Sequence, residues 1–341
     1  MEPGGTIVTT ATSVVWDRES GISIAERPLQ EPGPGELLLE VGASGLCGTD
    51  LHIASGEYPL AKSGVALGHE YAGIVVAVGP DTPVWQVGDR VVIDPNIPCR
   101  MCTACREARP HLCANPQTLG VTTDGGLGTH SIVPADRAYR IPDDLPMTAA
   151  ALTEPLACVV HAVDRAGLQP GHTALVIGAG PIGLLTASLL KAAGASEVVV
   201  SEPNDTRRAL APVFGGTPVQ PHEVRNDHFD VVMECVGLPV TLAAAIPAVR
   251  PGGTVVWVGV APPHATVPVN PYDVFRREIT IRGTYTNPHT MERSLALLAS
   301  GQVPWEETIT HRYGLDAFDE AWETHRTGAG LKVCVLPNGE A

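Results

Sequence analysis

Cys47, His69 and Glu70 offer one sulfur, one nitrogen and one oxygen donor, each a side chain that a divalent transition metal accepts. Three protein ligands of mixed type, with a fourth position left for water or substrate, are the pattern of a catalytic zinc. His69 and Glu70 sit side by side in Gly68-His69-Glu70-Tyr71-Ala72-Gly73, just ahead of the apolar run Ile74–Val78. That run is rich in β-branched residues and ends at Gly79, so it predicts a buried strand with both donors held rigidly at its entry. Cys47 belongs to Cys47-Gly48-Thr49-Asp50-Leu51-His52, where Thr49 and His52 add a hydroxyl and an imidazole. Those two groups suit a proton path from the reacting hydroxyl to solvent.

A second constellation is denser. Cys99-Arg-Met-Cys102-Thr-Ala-Cys105 joins two Cys-x-x-Cys steps through a shared cysteine, and Cys113 follows eight residues later. Four thiolates on one loop can close a tetrahedral site with no open position, which makes a structural zinc the expectation. An iron–sulfur cluster would use the same four thiolates.

The third is Ala174-Leu175-Val176-Ile177-Gly178-Ala179-Gly180-Pro181-Ile182-Gly183, a G-x-G-x-x-G fingerprint after an apolar strand. A helix pattern, Ile182–Ala193, and a second strand, Val198–Ser201, follow it. Gly178, Gly180 and Gly183, with Pro181 and Ile182 at the turn, would bring backbone amides to a pyrophosphate at a helix N-terminus. Glu202 lies 19 residues beyond Gly183 at the end of the second strand. Its carboxylate would accept the adenosine ribose hydroxyls and repel a 2′-phosphate, which favours NAD over NADP. Arg207 and Arg208 are nearby cations that could accommodate that phosphate, or else a solvated helix face.

Positioning these groups needs two kinds of scaffold. Residues 1–150 read as β-rich, with short apolar runs (Thr6–Thr9, Glu36–Val41, Ile74–Val78, Arg90–Ile93) between Gly and Pro clusters. From about Ala149 to Gly283, Ala-rich helical stretches alternate with Val-rich strands, the βαβ signature of a parallel sheet. Its second half is carried by Phe229–Glu234 and Gly253–Val258. Between Glu202 and Phe229 stand only 26 residues, with one helix expected at Asp205–Phe214 and one strand at Thr217–Gln220. A crossover helix there would have to shrink to a loop. After Pro288 come two helical patterns, Met291–Ser300 and Asp316–Thr327, and a strand, Lys332–Leu336.

Composition narrows the partners. The formal net charge is 22 − 37 = −15, and the absence of Lys/Arg runs argues against nucleic acid or an anionic membrane. Met1–Thr10 lacks the basic and apolar regions of a signal peptide, and no apolar run reaches membrane-spanning length. The expected compartment is the cytoplasm, where eight cysteines stay reduced and metal binding is the default for clustered thiols.

With these motifs in this order, the chain resembles the zinc-dependent medium-chain alcohol and polyol dehydrogenases over nearly its whole length. The resemblance implies an α/β fold: a chaperonin-10-like β-barrel catalytic domain (1–149 and 288–341) interrupted by a Rossmann doubly wound parallel sheet (150–287). Both zinc ions, two per chain, would lie in the catalytic domain, and NAD would bind the other. Thr153-Glu154-Pro155-Leu156-Ala157 is similar to the Glu-Pro segment of the sorbitol and threonine dehydrogenase branch. There Glu154 would bind the catalytic zinc directly or through water, with Glu70 as the exchangeable ligand; which is the direct third ligand stays open. The backbone of Val258-Gly259-Val260 would face the nicotinamide.

The implied reaction is oxidation of a secondary alcohol (a polyol, cyclitol or amino alcohol) to its ketone. L-Threonine 3-dehydrogenation is the alternative, and an NAD redox sensor without turnover the alternative of a different class. Where sorbitol dehydrogenase has an Arg-Tyr pair, this chain reads Gly283-Thr284-Tyr285-Thr286-Asn287-Pro288, which argues against sorbitol itself. The expected partners are a small-molecule alcohol and further copies of the chain, as a dimer or tetramer.

Overall fold

The computed structural model describes residues 10–339, so the strand expected at Thr6–Thr9 lies outside the described residues. The chain divides into two compact units: Met1–Glu154 with Ile309–Ala341, and Pro155–Thr308. The division therefore puts residues 288–308 in the second unit, where the sequence reading ends the nucleotide-binding domain at 287. Among the described residues no helix is long and apolar enough to cross a membrane.

The first unit is built on strands. Its main sheet runs in the order Ala138–Arg140, Arg90–Ile93, Glu70–Val78, Glu36–Gly45, Lys332–Leu336, Ile309–Gly314, with His130–Pro134 also paired to Glu36–Gly45. A three-stranded sheet of Gly21–Pro28, Thr10–Asp17 and Val65–Ala66 adjoins it, and Ser13 bridges Gly128. Strand Glu70–Val78 begins at the carboxylate of the His-Glu pair, as its β-branched run predicts. Glu36–Gly45 runs four residues beyond the expected Val41, through small residues that look like a turn in sequence. Leu46, Ile53, Val333 and Val335 are fully buried in one apolar cluster of this unit. Each such side chain contributes about 1.5–3 kcal/mol over its exposed state. That cluster anchors both ends of the segment carrying Cys47.

The second unit holds a six-stranded, all-parallel sheet in the order Thr217–Val219, Glu197–Ser201, Thr173–Ile177, Phe229–Glu234, Val249–Trp257, Thr280–Gly283. Strand order reverses between Thr173–Ile177 and Phe229–Glu234, the switch point at which open α/β sheets bind ligands. The missing crossover helix is indeed absent: after Thr217–Val219 a single 3₁₀ turn, Pro221–Glu223, leads to the next strand. The helix expected over Asp205–Phe214 is shorter. Asp205–Arg208 is helical and Ala211–Phe214 is 3₁₀, because Pro212 has no N–H to continue an α-helical ladder.

Candidate active site and metal centres

The segment after strand Glu36–Gly45 turns at Cys47 into the seven-residue helix Gly48–Ala54. Asp50 stands at its third position and accepts the Cys47 backbone N–H through Oδ2 at 2.9 Å. This closure lets so short a helix form without a Ser or Thr cap. Asp50 is fully buried, and its Oδ1 lies 3.6 Å from Nδ1 of His69. Nδ1 makes no hydrogen bond, and the Cys47 side chain is a further neighbour that acts on the imidazole.

Ligand atoms of Cys47, His69 and Glu70 all lie within 4.8 Å of one another. Glu154, at the start of helix Thr153–Ala166, is not in that group, but it is buried and close enough to His69 and Glu70 to act on their charges. Burial pushes its carboxyl up to about 7, against the pull of His69. Burial also raises Asp50. At His69 burial acts downward, but Asp50 and Cys47 outweigh it and hold the imidazole well above its ordinary range. One thiol, three carboxyls and an imidazole therefore meet in this buried pocket. Its sulfur, nitrogen and oxygen donors fit zinc.

Sequence reasoning missed Lys332. This buried lysine opens strand Lys332–Leu336, and its ammonium donates to Glu70 Oε2 at 2.6 Å, to Oε1 at 2.8 Å and to the Leu46 carbonyl at 3.1 Å. Burial would lower its pKa, but Glu70 more than compensates and raises it. A lysine heading an otherwise apolar strand was the available signal. His325, on helix Phe318–Thr327, makes a 2.9 Å hydrogen bond through Nε2 to the Cys47 carbonyl. Thr49 places its hydroxyl 3.7 Å from Cys47 Sγ, while His52 is exposed, with Nδ1 3.4 Å from Glu57 Oε2.

The four cysteines of the lobe also converge, with ligand atoms within 4.8 Å. Backbone N–H groups point at the sulfurs: Cys99 donates to Cys113 Sγ at 3.2 Å, Cys102 to Cys99 Sγ at 3.4 Å and Asn115 to Cys113 Sγ at 3.4 Å. Such donors stabilise thiolates. The amides of Ala114 and Cys105 lower Cys102 to about 6, whereas burial pushes Cys105 up to about 12.

In the second unit Gly180 precedes helix Pro181–Ala192, whose first turn carries Pro181 and Ile182. Gly183 packs directly on the Gly178 carbonyl, where any Cβ would clash. Glu202 is buried at the end of its strand; Oε2 accepts the Ala179 amide at 2.8 Å and Oε1 that of Asn204 at 2.9 Å. Arg208 bonds the Glu202 and Pro203 carbonyls and Asp205, while the Arg207 amide is capped by Asn204. Glu234, unnoticed in the sequence, is the hub of the opposite strand end. Its carboxylate accepts the amides of Val236 and Gly237, and its carbonyl accepts those of Val258 and Gly259. It thereby fixes the turn that leads to the exposed Val260.

The chain matches the alcohol dehydrogenase GroES-like domain over residues 33–143 and the zinc-binding dehydrogenase domain over 181–300. D-altritol 5-dehydrogenase of Agrobacterium fabrum is 38% identical over 300 residues, covering 86% of this chain and 89% of that protein. L-threonine 3-dehydrogenase of Thermococcus kodakarensis is 38% identical over 337 residues, covering 93% and 95%. Among solved structures, a zinc-binding dehydrogenase from Sinorhizobium meliloti bound to NADP superposes with a TM-score of 0.93 at 35% identity, covering 97% of this chain and 100% of that one. The expected pairing of a GroES-like β-structure with a Rossmann sheet holds. Sequence similarity over most of two relatives and agreement with both domain families make this chain a member of the zinc-binding, medium-chain alcohol and polyol dehydrogenase family, and hence an oxidoreductase.

Proposed function

We propose that the enzyme oxidises a secondary alcohol on a polyol, cyclitol or amino alcohol to the ketone, using NAD and a zinc ion at Cys47, His69 and Glu154 or Glu70. The observation that carries this reading is the convergence of a thiol, an imidazole and a carboxyl within 4.8 Å in a buried acidic pocket. Zinc bound there would supply a Lewis acid that lowers the pKa of the substrate hydroxyl, and the nicotinamide an acceptor for hydride. The Asp50 carboxylate stands 3.6 Å behind Nδ1 of His69 and its charge makes that imidazole more basic. The Thr49 hydroxyl takes the substrate proton onward, and the exposed His52 releases it to solvent. Cys99, Cys102, Cys105 and Cys113 hold a second, structural zinc.

NAD is favoured over NADP because Glu202 presents a buried carboxylate at the fingerprint loop and Arg208 is spent on its neighbours. Gly178, Gly180, Pro181, Ile182 and Gly183 would take the pyrophosphate, Arg207 would line the ribose side, and Val258, Gly259 and Val260 would face the nicotinamide. Within the second unit, Thr284 and Thr286 carry buried hydroxyls with no hydrogen-bond partner. Thr286 holds the left-handed conformation at φ 50°, rare for a β-branched residue and concentrated at functional sites. Neutral hydroxyls suit a polyhydroxylated ligand. L-Threonine is the second reading, on the strength of relatives as similar as the altritol enzyme.

The cytoplasm is the proposed compartment, since clustered thiols such as Cys99, Cys102, Cys105 and Cys113 serve as metal ligands where the medium is reducing. A homo-oligomer is proposed because Tyr272 and Phe275, 68% and 77% exposed, stand on the helix leading to edge strand Thr280–Gly283. A panel of polyols, cyclitols, amino alcohols and L-threonine, each with NAD and with NADP, tests the assignment by reduced-cofactor absorbance. Turnover confined to primary alcohols, or a preference for NADP, would sink it.

A further inference from the structure

An asparagine deamidates when the backbone nitrogen of the next residue attacks its side-chain amide, so the residue that follows decides where this can happen. The chain holds seven asparagines. Asn115, Asn270 and Asn287 precede prolines, whose nitrogen has no proton to lose. Asn96, Asn204 and Asn226 precede Ile97, Asp205 and Asp227, whose side chains crowd the attack. Only Asn338 precedes a glycine, Gly339, which leaves the nitrogen unhindered and the backbone free to turn. The fold nevertheless gives this reactive residue a task. Residues 336–339 turn directly after the strand Lys332–Leu336, and the Gly339 amide donates to the Leu336 carbonyl at 3.2 Å. Asn338 Nδ2 then donates to the Val41 carbonyl at 3.0 Å, on strand Glu36–Gly45, and to the Thr129 carbonyl at 2.9 Å.

We propose that Asn338 is a deamidation site which the docked last strand keeps closed, and whose conversion prevents that strand from docking again. The step needs only the chain and water. Gly339 N loses its proton and bonds to the side-chain carbonyl carbon of Asn338; the bond to Nδ2 breaks and ammonia leaves. Water then opens the succinimide to aspartate or isoaspartate. In the docked state three hydrogen bonds oppose this, two from Nδ2 and one from Gly339 N. They must break first, so the reaction runs through local opening. The product closes badly, because carboxylate oxygens now face the two carbonyl oxygens that the amide donated to. The same strand also holds the residue before Cys47: the Leu46 amide donates to the Val333 carbonyl at 2.9 Å, and Cys334 pairs with Gly45. Deamidation therefore ages the molecule at the segment that carries Cys47, whatever that thiol binds.

The test is a time course of the full-length protein at mildly alkaline pH, followed by peptide mapping in a mass spectrometer. Acid should accumulate at Asn338 ahead of the other asparagines. It should do so at least roughly tenfold more slowly than in a free peptide of the same terminal sequence, the protection that two or three ordinary hydrogen bonds supply. Denaturant below the unfolding midpoint should erase most of that protection. Val335→Ala, which removes a fully buried side chain from the last strand, should speed the reaction without denaturant.

Hydrogen exchange reads the consequence. Asn338→Asp should exchange the Leu46 amide faster than wild type, and by more than Asn338→Ala, which loses the two bonds without setting oxygen against oxygen. If the Asp variant fails to fold, aged wild type, separated from unreacted protein by its added charge, carries the same readout. Wild type that deamidates as fast as the free peptide would overturn the proposal, as would an Asn338 amide that survives even when denaturant opens the strand. Aged protein whose Leu46 amide exchanges as slowly as before would overturn it too.

Discussion

The four cysteines of the lobe lie on a single stretch of fifteen residues, 99–113, whereas Cys47, His69 and Glu70 come from two strand ends and are held by Asp50, His325 and Lys332. In the lobe, support for the sulfurs comes from backbone N–H groups on the same loop, and the side chains are only partly buried. At the other centre, support comes from buried charged side chains far apart in sequence. The contrast fits the two roles proposed for these sites. A closed set of identical ligands needs only local geometry, because nothing about it has to change. A mixed set that must admit substrate needs its donors fixed from outside, so that one position can stay open.

The largest expected effect tests whether the two centres are separable. Cys47→Ser or His69→Ala should lose one metal of two and lower kcat/KM by about 10⁴-fold or more, several kcal/mol of Lewis-acid stabilisation at 1.36 kcal/mol per tenfold. Elemental analysis should still find the lobe metal; loss of both metals would break the comparison. Next in size, His52→Ala should keep both metals and lose about 10–10³-fold in kcat, most at low pH where hydroxide is scarce. Unchanged kinetics across the pH range would return His52 to an ordinary exposed histidine.

A middle-sized effect belongs to the cofactor. NAD should exceed NADP by about tenfold in kcat/KM, ~1.4 kcal/mol, and Glu202→Ser should narrow that gap.

The smallest effects sharpen the lobe's own account. Cys113→Ser should lower Tm through lost metal-coupled folding while leaving turnover per intact catalytic centre in place. In chelator-stripped protein, mass mapping after brief alkylation at neutral pH should find Cys102 modified before Cys105. Cys102, at about 6, is then largely thiolate, and Cys105, at about 12, is not. The preference should fade as pH drops below about 6, because protonation removes the Cys102 nucleophile.

How much of this was legible in the sequence follows the same division. The lobe and the dinucleotide fingerprint could be read because their chemistry is local: four thiols at fixed spacing, glycines between strand and helix. His69 and Glu70 could be placed because a β-branched run follows them. Asp50 is equally local, but its service to His69 depends on a seven-residue helix too short to show a period. Lys332 shows in the sequence only as a charge heading an apolar strand, and its partner, like that of His325, could not be read, since nothing in a sequence says which distant strand a lone cation will lie beside. Glu36–Gly45 was read short because Gly42, Ala43, Ser44 and Gly45 look like turn residues. At Gly45 the missing side chain is required by Glu70, a reason that only packing reveals.

The hydrogen bond from Lys332 to Glu70 spans 262 residues of chain, and all of Pro155–Thr308 lies inside that span. It has a consequence for the order in which the molecule comes into being. Closing a span of that size costs roughly 2–3 kcal/mol more chain entropy than closing the 14 residues from Cys99 to Cys113. The contiguous parallel sheet can form as soon as its own residues are available, while the cluster of Cys47, His69 and Glu70 must wait for its final strand. During synthesis, and again on refolding, competence for the dinucleotide should therefore precede competence for chemistry, with a lag set by the docking of Lys332–Leu336.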